Sequence, residues 1–204
     1  MIFTAKVDRR KYFAPLMSST EKRLLKEYRA VQKELAEKRS SIRDTGIVDL
    51  HPLEDGLFRW SAVIKGPDQS PFENALWRLE IDIPTNYPLD PPQIKFVVFG
   101  EEKIRQMQRK TGSGTRKVCY KMPHPNVNFK TGEICLDILQ QKWSPAWTLQ
   151  SALVAIVVLL ANPEPLSPLN IDMANLLKCD DMTAYRDLVH YYIAKYSAYE
   201  SNDV

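Results

Sequence analysis

Two runs of alternation stand out along the chain. Phe58, Trp60, Ala62 and Ile64 alternate with Arg59, Ser61 and Lys65, and Gly66-Pro67 closes the run. Trp77, Leu79, Ile81 and Ile83 alternate with Arg78, Glu80 and Asp82, and Pro84 stops it. Each pattern predicts a strand with one face buried. Ile47 to Leu53 reads as a weaker strand ahead of them, and Gln93 to Val98 as a fourth behind. Short strands that follow one another so closely predict an antiparallel meander. Between the third and fourth, Tyr87-Pro88-Leu89-Asp90-Pro91-Pro92 is a stiff connector, because each proline fixes its own φ and pushes its predecessor toward extended geometry.

Helical periods flank the strands. Ser18 and Glu21 form a capping box, and Leu24, Tyr28, Val31 and Leu35 make one apolar stripe behind it. Lys22, Lys26, Arg29 and Lys33 make a second stripe, which is a solvated face or a docking face. Thr148 caps a helix to about Ala161 that is apolar nearly all round, which predicts burial at the centre of the fold. Asn162-Pro163 ends it, and Pro163, Pro165 and Pro168 keep the following loop extended. Asp180 is the predicted cap of a last helix carrying Tyr185, Leu188, Val189, Tyr192 and Ile193. Helix, strands, then helices predict an α+β domain, with residues 1–17 as an extension and 197–204 as a short tail.

Composition narrows the class only slightly. The 204 residues are 44% hydrophobic and 26% charged, as in an ordinary globular domain. The longest apolar stretch is too short to span a bilayer and no signal-peptide core follows the first residues, so the expected setting is cytosolic or nuclear, with any membrane contact made through a partner. Three cysteines at irregular spacing imply no disulfide framework, and Cys119, His124, Cys135 and Cys179 match no zinc-ligand spacing, so no metal is expected. The net charge of +3 changes meaning once located: residues 97–118 hold six cations against two carboxylates, and the remainder is slightly acidic. Nucleic-acid binding, which spreads charge and aromatics along a face, is disfavoured. The same segment contains Gly112-Ser113-Gly114 and reads as an insertion, part helical at Glu101–Lys110 and then flexible. It is either a tolerated surface loop or a basic docking or membrane-proximal patch.

The candidate chemistry sits in one window. Cys135 lies in the apolar frame Ile134-Cys135-Leu136-Asp137-Ile138-Leu139, nine residues after His124-Pro125-Asn126 and just before Trp143-Ser144-Pro145-Ala146-Trp147. Three roles are open to it: a buried hydrophobe, a hydrolase nucleophile, or the acceptor of an activated acyl group. A hydrolase needs a histidine base. Of His51, His124 and His190, the second is locked between prolines and the third lies on a tyrosine-rich helix. An acyl acceptor needs a thiolate and a donor near the developing oxyanion more than a strong base, and the Asn126 amide is of the right type. The competing reading of Asn126 is a turn residue bonded to its own backbone.

These residues resemble the ubiquitin-conjugating (E2) enzymes. The resemblance rests on His124-Pro125-Asn126, Gly132-x-Ile134-Cys135-Leu136-Asp137, Trp143-Ser144-Pro145-Ala146, the Tyr87–Pro92 connector and Pro168-Leu169-Asn170, in order, over about residues 18–196. It implies the UBC fold, a four-stranded antiparallel meander flanked by an N-terminal helix, a central buried helix and C-terminal helices. It implies that Cys135 accepts ubiquitin as a thioester from an E1 activating enzyme and passes it to a lysine or cysteine with a RING-type E3 ligase. No cofactor is implied, since ATP is used upstream. By resemblance Asn126 supports the oxyanion or orders the catalytic loop, and His124, Pro125 and Asp137 support the motif. Ser167 lines the acceptor's approach, where a hydroxyl can position and desolvate but not act as a strong base. Lys22, Arg23 and Lys26 match the helix end that meets the E1, and Leu89, Pro145 and Ala146 match the loops that grip a ligase. Many RING-partnered members carry phenylalanine at the position of Leu89. Residues 143–170 are most similar to the fungal peroxisomal branch, which implies recruitment to the cytosolic face of the peroxisome by a membrane-anchored peroxin, with the import receptor as substrate. Two alternatives stay open: conjugation of another ubiquitin-like modifier, and a non-catalytic ubiquitin-binding adaptor of the same fold.

Overall fold

The computed structural model describes residues 17–37, 44–54, 56–109, 116–135 and 143–200. The first helix, α1 (Ser19–Ala36), starts where its capping box places it. The Ser18 hydroxyl accepts from the Glu21 N–H at 3.1 Å, and the Glu21 carboxylate accepts from the Ser18 N–H at 2.7 Å. Leu24 and Val31 are buried, and Tyr28 and Leu35 pack at the edge of the core.

The meander follows as β1 (Ile47–Pro52), β2 (Arg59–Lys65), β3 (Leu76–Asp82) and β4 (Gln93–Phe96). Its register brings the apolar positions of both alternating runs together: Trp60 faces Ile81, Ala62 faces Leu79 and Ile64 faces Trp77. A slip of one residue would turn that whole set to solvent, which is why the register is fixed. This inner face meets the central helix α3 (Leu149–Ala161), capped by Thr148 and Ser151. Leu149, Leu153, Ile156, Leu159 and Leu160 of α3 are all buried, each contributing about 1.5–3 kcal/mol of apolar burial. Burial is not complete around the helix, however, because Val158 is 55% exposed.

The structure departs from the sequence reading beyond β4. The sheet has six strands and is mixed. After α2 (Glu101–Arg109), a short strand β5 (Lys117–Cys119) pairs in parallel with β3 at Trp77, on the edge that β4 has just left. A last strand, β6 (Ser197–Tyr199), pairs antiparallel with β5, so part of the expected C-terminal tail belongs to the sheet. Strands of three residues show no readable alternation, and their pairing joins segments about eighty residues apart, so nothing local announces them. A helix α4 (Ile171–Lys178), capped by Asn170, precedes α5 (Met182–Tyr196). The cap of α5 is Asp181, whose carboxylate accepts from the Ala184 N–H at 2.9 Å, while Asp180 takes a positive φ in the turn before it.

The insertion is therefore not a peripheral loop. Helix α2 buries Ile104 at 2% exposure against the core. The Glu101 carboxylate receives the Lys195 ammonium at 2.9 Å and the Tyr196 hydroxyl at 2.8 Å, and Gln108 donates to the carbonyls of Lys195 and Ser197. Phe99 stacks on Tyr120 with 4.6 Å between ring centres, and Arg116 reaches Asp49 of β1 at 3.3 Å. Some of the segment's cations find partners at the surface: the exposed Arg105 also pairs with Glu101, and the ammonium of the exposed Lys103 sits 3.5 Å from the centre of the Phe99 ring. Ile104→Ala is expected to lower the unfolding free energy by about 2–5 kcal/mol in urea denaturation, the cost of emptying a buried site. A change within about 0.5 kcal/mol, the usual range for an exposed position, would instead mark the helix as peripheral.

Candidate active site

The site is built on a buried turn. The Asn126 N–H donates to Nδ1 of His124 at 3.1 Å, so the ring proton must sit on Nε2, which donates to the Leu159 carbonyl at 3.1 Å. That carbonyl lies in the last turn of α3, where it also accepts from the Asn162 N–H at 3.1 Å. His124 has no solvent exposure and touches the Phe72 ring. Burial drives its pKa down to about 3, so it is neutral with both nitrogens occupied. It supplies no base. His51 pairs with Asp49 on β1, and His190 is exposed on α5.

From this turn the chain runs out and back as a hairpin. Asn128 accepts from the Lys130 and Thr131 N–H groups through its side-chain oxygen, and its backbone carbonyl accepts from the Gly132 N–H at 2.8 Å, which closes the turn locally. Gly132 closes the hairpin at φ +79°, and a Cβ there would lie 1.9 Å from the Phe96 carbonyl oxygen, so no other residue fits without moving β4. Val127 and Ile134 bridge across the hairpin, both buried. The Cys135 N–H then donates to the Asn126 carbonyl at 2.9 Å. The backbone of Cys135 is thereby fixed to the histidine turn, while the residue itself is half-buried. Asp137 lies outside the described residues.

The Asn126 side chain is fully buried and fully used. Its Nδ2 donates to the carbonyls of Glu164 at 2.7 Å and Ser167 at 3.3 Å, and its Oδ1 accepts from the Glu164 N–H at 2.8 Å. The Glu164 N–H must meet an oxygen, which fixes the orientation of the amide. The Pro125 carbonyl adds two bonds from the same loop, accepting the N–H groups of Leu169 and Asn170 at 2.8 and 2.9 Å. Five hydrogen bonds thus clasp the 164–170 loop to the histidine turn. Ser167 is exposed on this loop, and its backbone carbonyl is the atom that Asn126 holds.

The other thiols are set apart. Cys119 is buried on β5, its thiol donating to the Lys121 carbonyl at 3.2 Å, and burial pushes its pKa up to about 11, which leaves it a poor nucleophile at neutral pH. Cys179 is exposed at the end of α4. Among the described residues, no group of three or more His, Cys, Asp or Glu is arranged to hold a metal.

A second cluster of sequence-selected residues forms one corner of the molecule. Lys22 and Lys26 are exposed on α1. Arg23, between them, turns inward: its guanidinium pairs with Glu27 and donates to the Trp147 carbonyl at 2.8 Å. Leu89 is 71% exposed, and Pro145 and Ala146 are exposed. The two loops are joined because Trp143 Nε1 donates to the Pro88 carbonyl at 2.9 Å and its ring lies 5.9 Å from that of Tyr87. Glu27 escapes the sequence reading, as does the part that Tyr87, read there only as the start of the connector, plays as its partner. The available signal was a carboxylate at position 27, inside the apolar stripe of Leu24 and Val31.

The family profile described as ubiquitin-conjugating enzyme matches residues 23–193. The ubiquitin-conjugating enzyme E2-21 kDa of Pichia angusta is 93% identical over 188 residues, covering 92% of this chain and 100% of that protein. The E2 ubiquitin-conjugating enzyme PEX4 of Komagataella phaffii is 51% identical over 197 residues, covering 89% and 97%. The crystal structure of H. polymorpha Pex4p in complex with the soluble domain of Pex22p superposes with a TM-score of 0.88 at 92% identity, covering 89% of this chain and 100% of that one. The chain belongs to the ubiquitin-conjugating enzyme family, with the UBC fold, and is an E2 enzyme.

Acid stability tests the electrostatics of the site. A histidine held neutral by burial binds its proton more readily when the chain unfolds, so its contribution is complete above about pH 6.5 and is lost as pH falls toward 3. The loss approaches about 1.4 kcal/mol per pH unit within that window. Unfolding free energies measured in urea at pH 7, 5.5 and 4.5 should fall more steeply for the native chain than for His124→Gln. Parallel curves would contradict a buried neutral ring.

Proposed function

We propose that Cys135 carries ubiquitin. Its thiolate attacks the thioester carbonyl carbon on the activating enzyme, the C–S bond to that enzyme breaks, and the departing thiolate keeps the electron pair. The exchange is close to isoenergetic, so alignment matters more than driving force. An acceptor amine or thiol then attacks the same carbonyl and the Cys135 sulfur leaves as thiolate. The observation that carries this reading is the placement of Cys135: half-buried, backbone-fixed to Asn126, and at the end of a hairpin whose base also holds the 164–170 loop. With His124 neutral and committed, the proton of an amine acceptor passes to water or to a group that the acceptor or ligase brings. Ser167 positions the acceptor and sheds water from its path. The Asn126 bonds to Glu164 and Ser167 favour a role in ordering this wall of the site over that of a preformed oxyanion donor. No cofactor or metal takes part, ATP being used by the activating enzyme.

Lys22 and Lys26, with Leu89, Pro145 and Ala146, form the docking corner for the E1 and for a RING-type ligase in turn, and Arg23 serves that corner from within. The relatives support a finer reading. We infer that this enzyme works on the cytosolic face of the peroxisome, held there by a membrane-anchored peroxin of the Pex22p kind, and that its substrate is the peroxisomal import receptor. Recruitment by a partner fits a chain in which no helix among the described residues is long and apolar enough to cross a membrane.

Incubation with activating enzyme, ATP and ubiquitin is expected to give an adduct that reductant removes. Cys135→Ala should abolish it, and Cys135→Ser should give an ester that survives reductant but not hydroxide. No adduct with ubiquitin, and one with a different ubiquitin-like protein, would overturn the modifier named here.

A further inference from the structure

We infer that Glu27 is the positioning residue of the docking corner, a buried carboxylate that sets the three chain segments of that corner in register. The inference rests on the reading of Lys22, Lys26, Leu89, Pro145 and Ala146 as a docking surface. Glu27 lies on the core-facing stripe of α1 between Leu24 and Val31 and is 7% exposed. Its Oε1 accepts from the Arg23 guanidinium and from the Tyr87 hydroxyl at 2.8 Å, and its Oε2 accepts from the Leu149 N–H at 2.9 Å. That N–H opens α3, where backbone donors lack helical partners and the helix dipole favours negative charge. One carboxylate therefore joins α1 to segments 60 and 122 residues further along the chain.

Each of its partners sits next to a docking residue. Tyr87 is two residues from Leu89, and Leu149 follows Pro145 and Ala146 by only a few. Arg23 stands between Lys22 and Lys26, and its second bond, to the Trp147 carbonyl, closes the ring of contacts. A cleft of about 230 Å³ opens between α1 and the start of α3, with Lys26, Glu27, Ala30 and Gln150 among its walls, so the carboxylate also borders the surface a partner would meet. The electrostatics agree with a tight cluster: the hydrogen bond to Glu27 raises the Arg23 pKa, and burial together with the Glu27 charge raises that of the Tyr87 hydroxyl. An apolar residue at position 27 would extend the stripe without burying charge, and such replacements are often neutral or stabilising. What the carboxylate contributes is a fixed geometry among α1, the Tyr87–Leu89 turn and the Trp147–Leu149 turn.

The test is E1-dependent charging of the full chain, with initial rates measured against its concentration, alongside discharge of the preformed thioester to hydroxylamine. Glu27→Gln keeps the shape of the side chain but turns a donor toward one of its donors. It should raise KM about fivefold or more, in the range of ordinary site-to-site coupling, with kcat and hydroxylamine discharge little changed. Tyr87→Phe should raise KM by less and should not add to Glu27→Gln in the double variant. Lys26→Glu, on the surface itself, should also raise KM. An unchanged KM for Glu27→Gln beside a raised one for Lys26→Glu would overturn the positioning role and leave the docking reading standing. Unchanged KM for both Lys26→Glu and Leu89→Ala would overturn the docking reading and the inference with it. Should Glu27→Gln fail to fold, Tyr87→Phe decides alone, an unchanged KM refuting the inference.

Discussion

The placement of Cys135 and of the 164–170 loop depends on how the buried turn His124-Pro125-Asn126 spends its hydrogen bonds. A turn of this kind has backbone and side-chain polar groups that burial would leave costly if unpaired. Here some pair within the turn itself, and others reach Cys135 and the 164–170 loop. The Asn126 carbonyl holds the Cys135 N–H, the Asn126 amide holds both ends of the Glu164–Ser167 segment, and the Pro125 carbonyl holds Leu169 and Asn170. Satisfying the turn and assembling the site are one requirement. The arrangement also explains why a histidine belongs in a place where it performs no proton transfer. Its two nitrogens, one acceptor and one donor, close the turn onto the end of α3 without leaving a buried charge.

The central helix connects that turn to the opposite corner. Near its C-terminal end the Leu159 carbonyl receives His124, and at its N-terminal end the Leu149 N–H is received by Glu27. Ten residues of helix put these contacts roughly 15 Å apart. Between them α3 is packed against the sheet by buried leucine and isoleucine side chains, so it behaves as a rigid strut. On the proposed reading, the enzyme meets partners at one end and carries out acyl transfer at the other. A strut with both ends pinned by polar contacts gives each end a fixed frame without requiring that they touch.

Sequence alone reveals the parts governed by local pattern. The strands β2 and β3, the Ser18 and Thr148 caps and the helical start of the insertion are each set by neighbouring residues, and each forms, although β2 buries Ser61 and Val63 on its second face and not one face alone. What the sequence hides is governed by distant backbone. Strands β5 and β6 are three residues each and exist because they find each other and the free edge of β3. The insertion looks like a soluble loop because its charges are visible and its partners, Glu101 with Lys195 and Arg116 with Asp49, lie far apart in sequence. At the site the residue types were legible, but not the direction of the Asn126 amide. Its partners are main-chain atoms of Glu164 and Ser167, which no motif encodes. The family resemblance groups Arg23 with Lys22 and Lys26, yet its inward turn depends on Glu27, a carboxylate set within the apolar stripe whose partners lie far along the chain.

The Asn126 side chain, not its backbone, orders the Glu164–Ser167 segment beside the histidine turn. Amide hydrogen exchange, compared between the native chain and Asn126→Ala, tests this directly. The Glu164 N–H should lose its protection in the variant, because its acceptor is the Asn126 Oδ1. The Cys135 N–H should keep its protection, because its acceptor is the backbone carbonyl that alanine retains. A Glu164 amide equally protected in both proteins would contradict the claim.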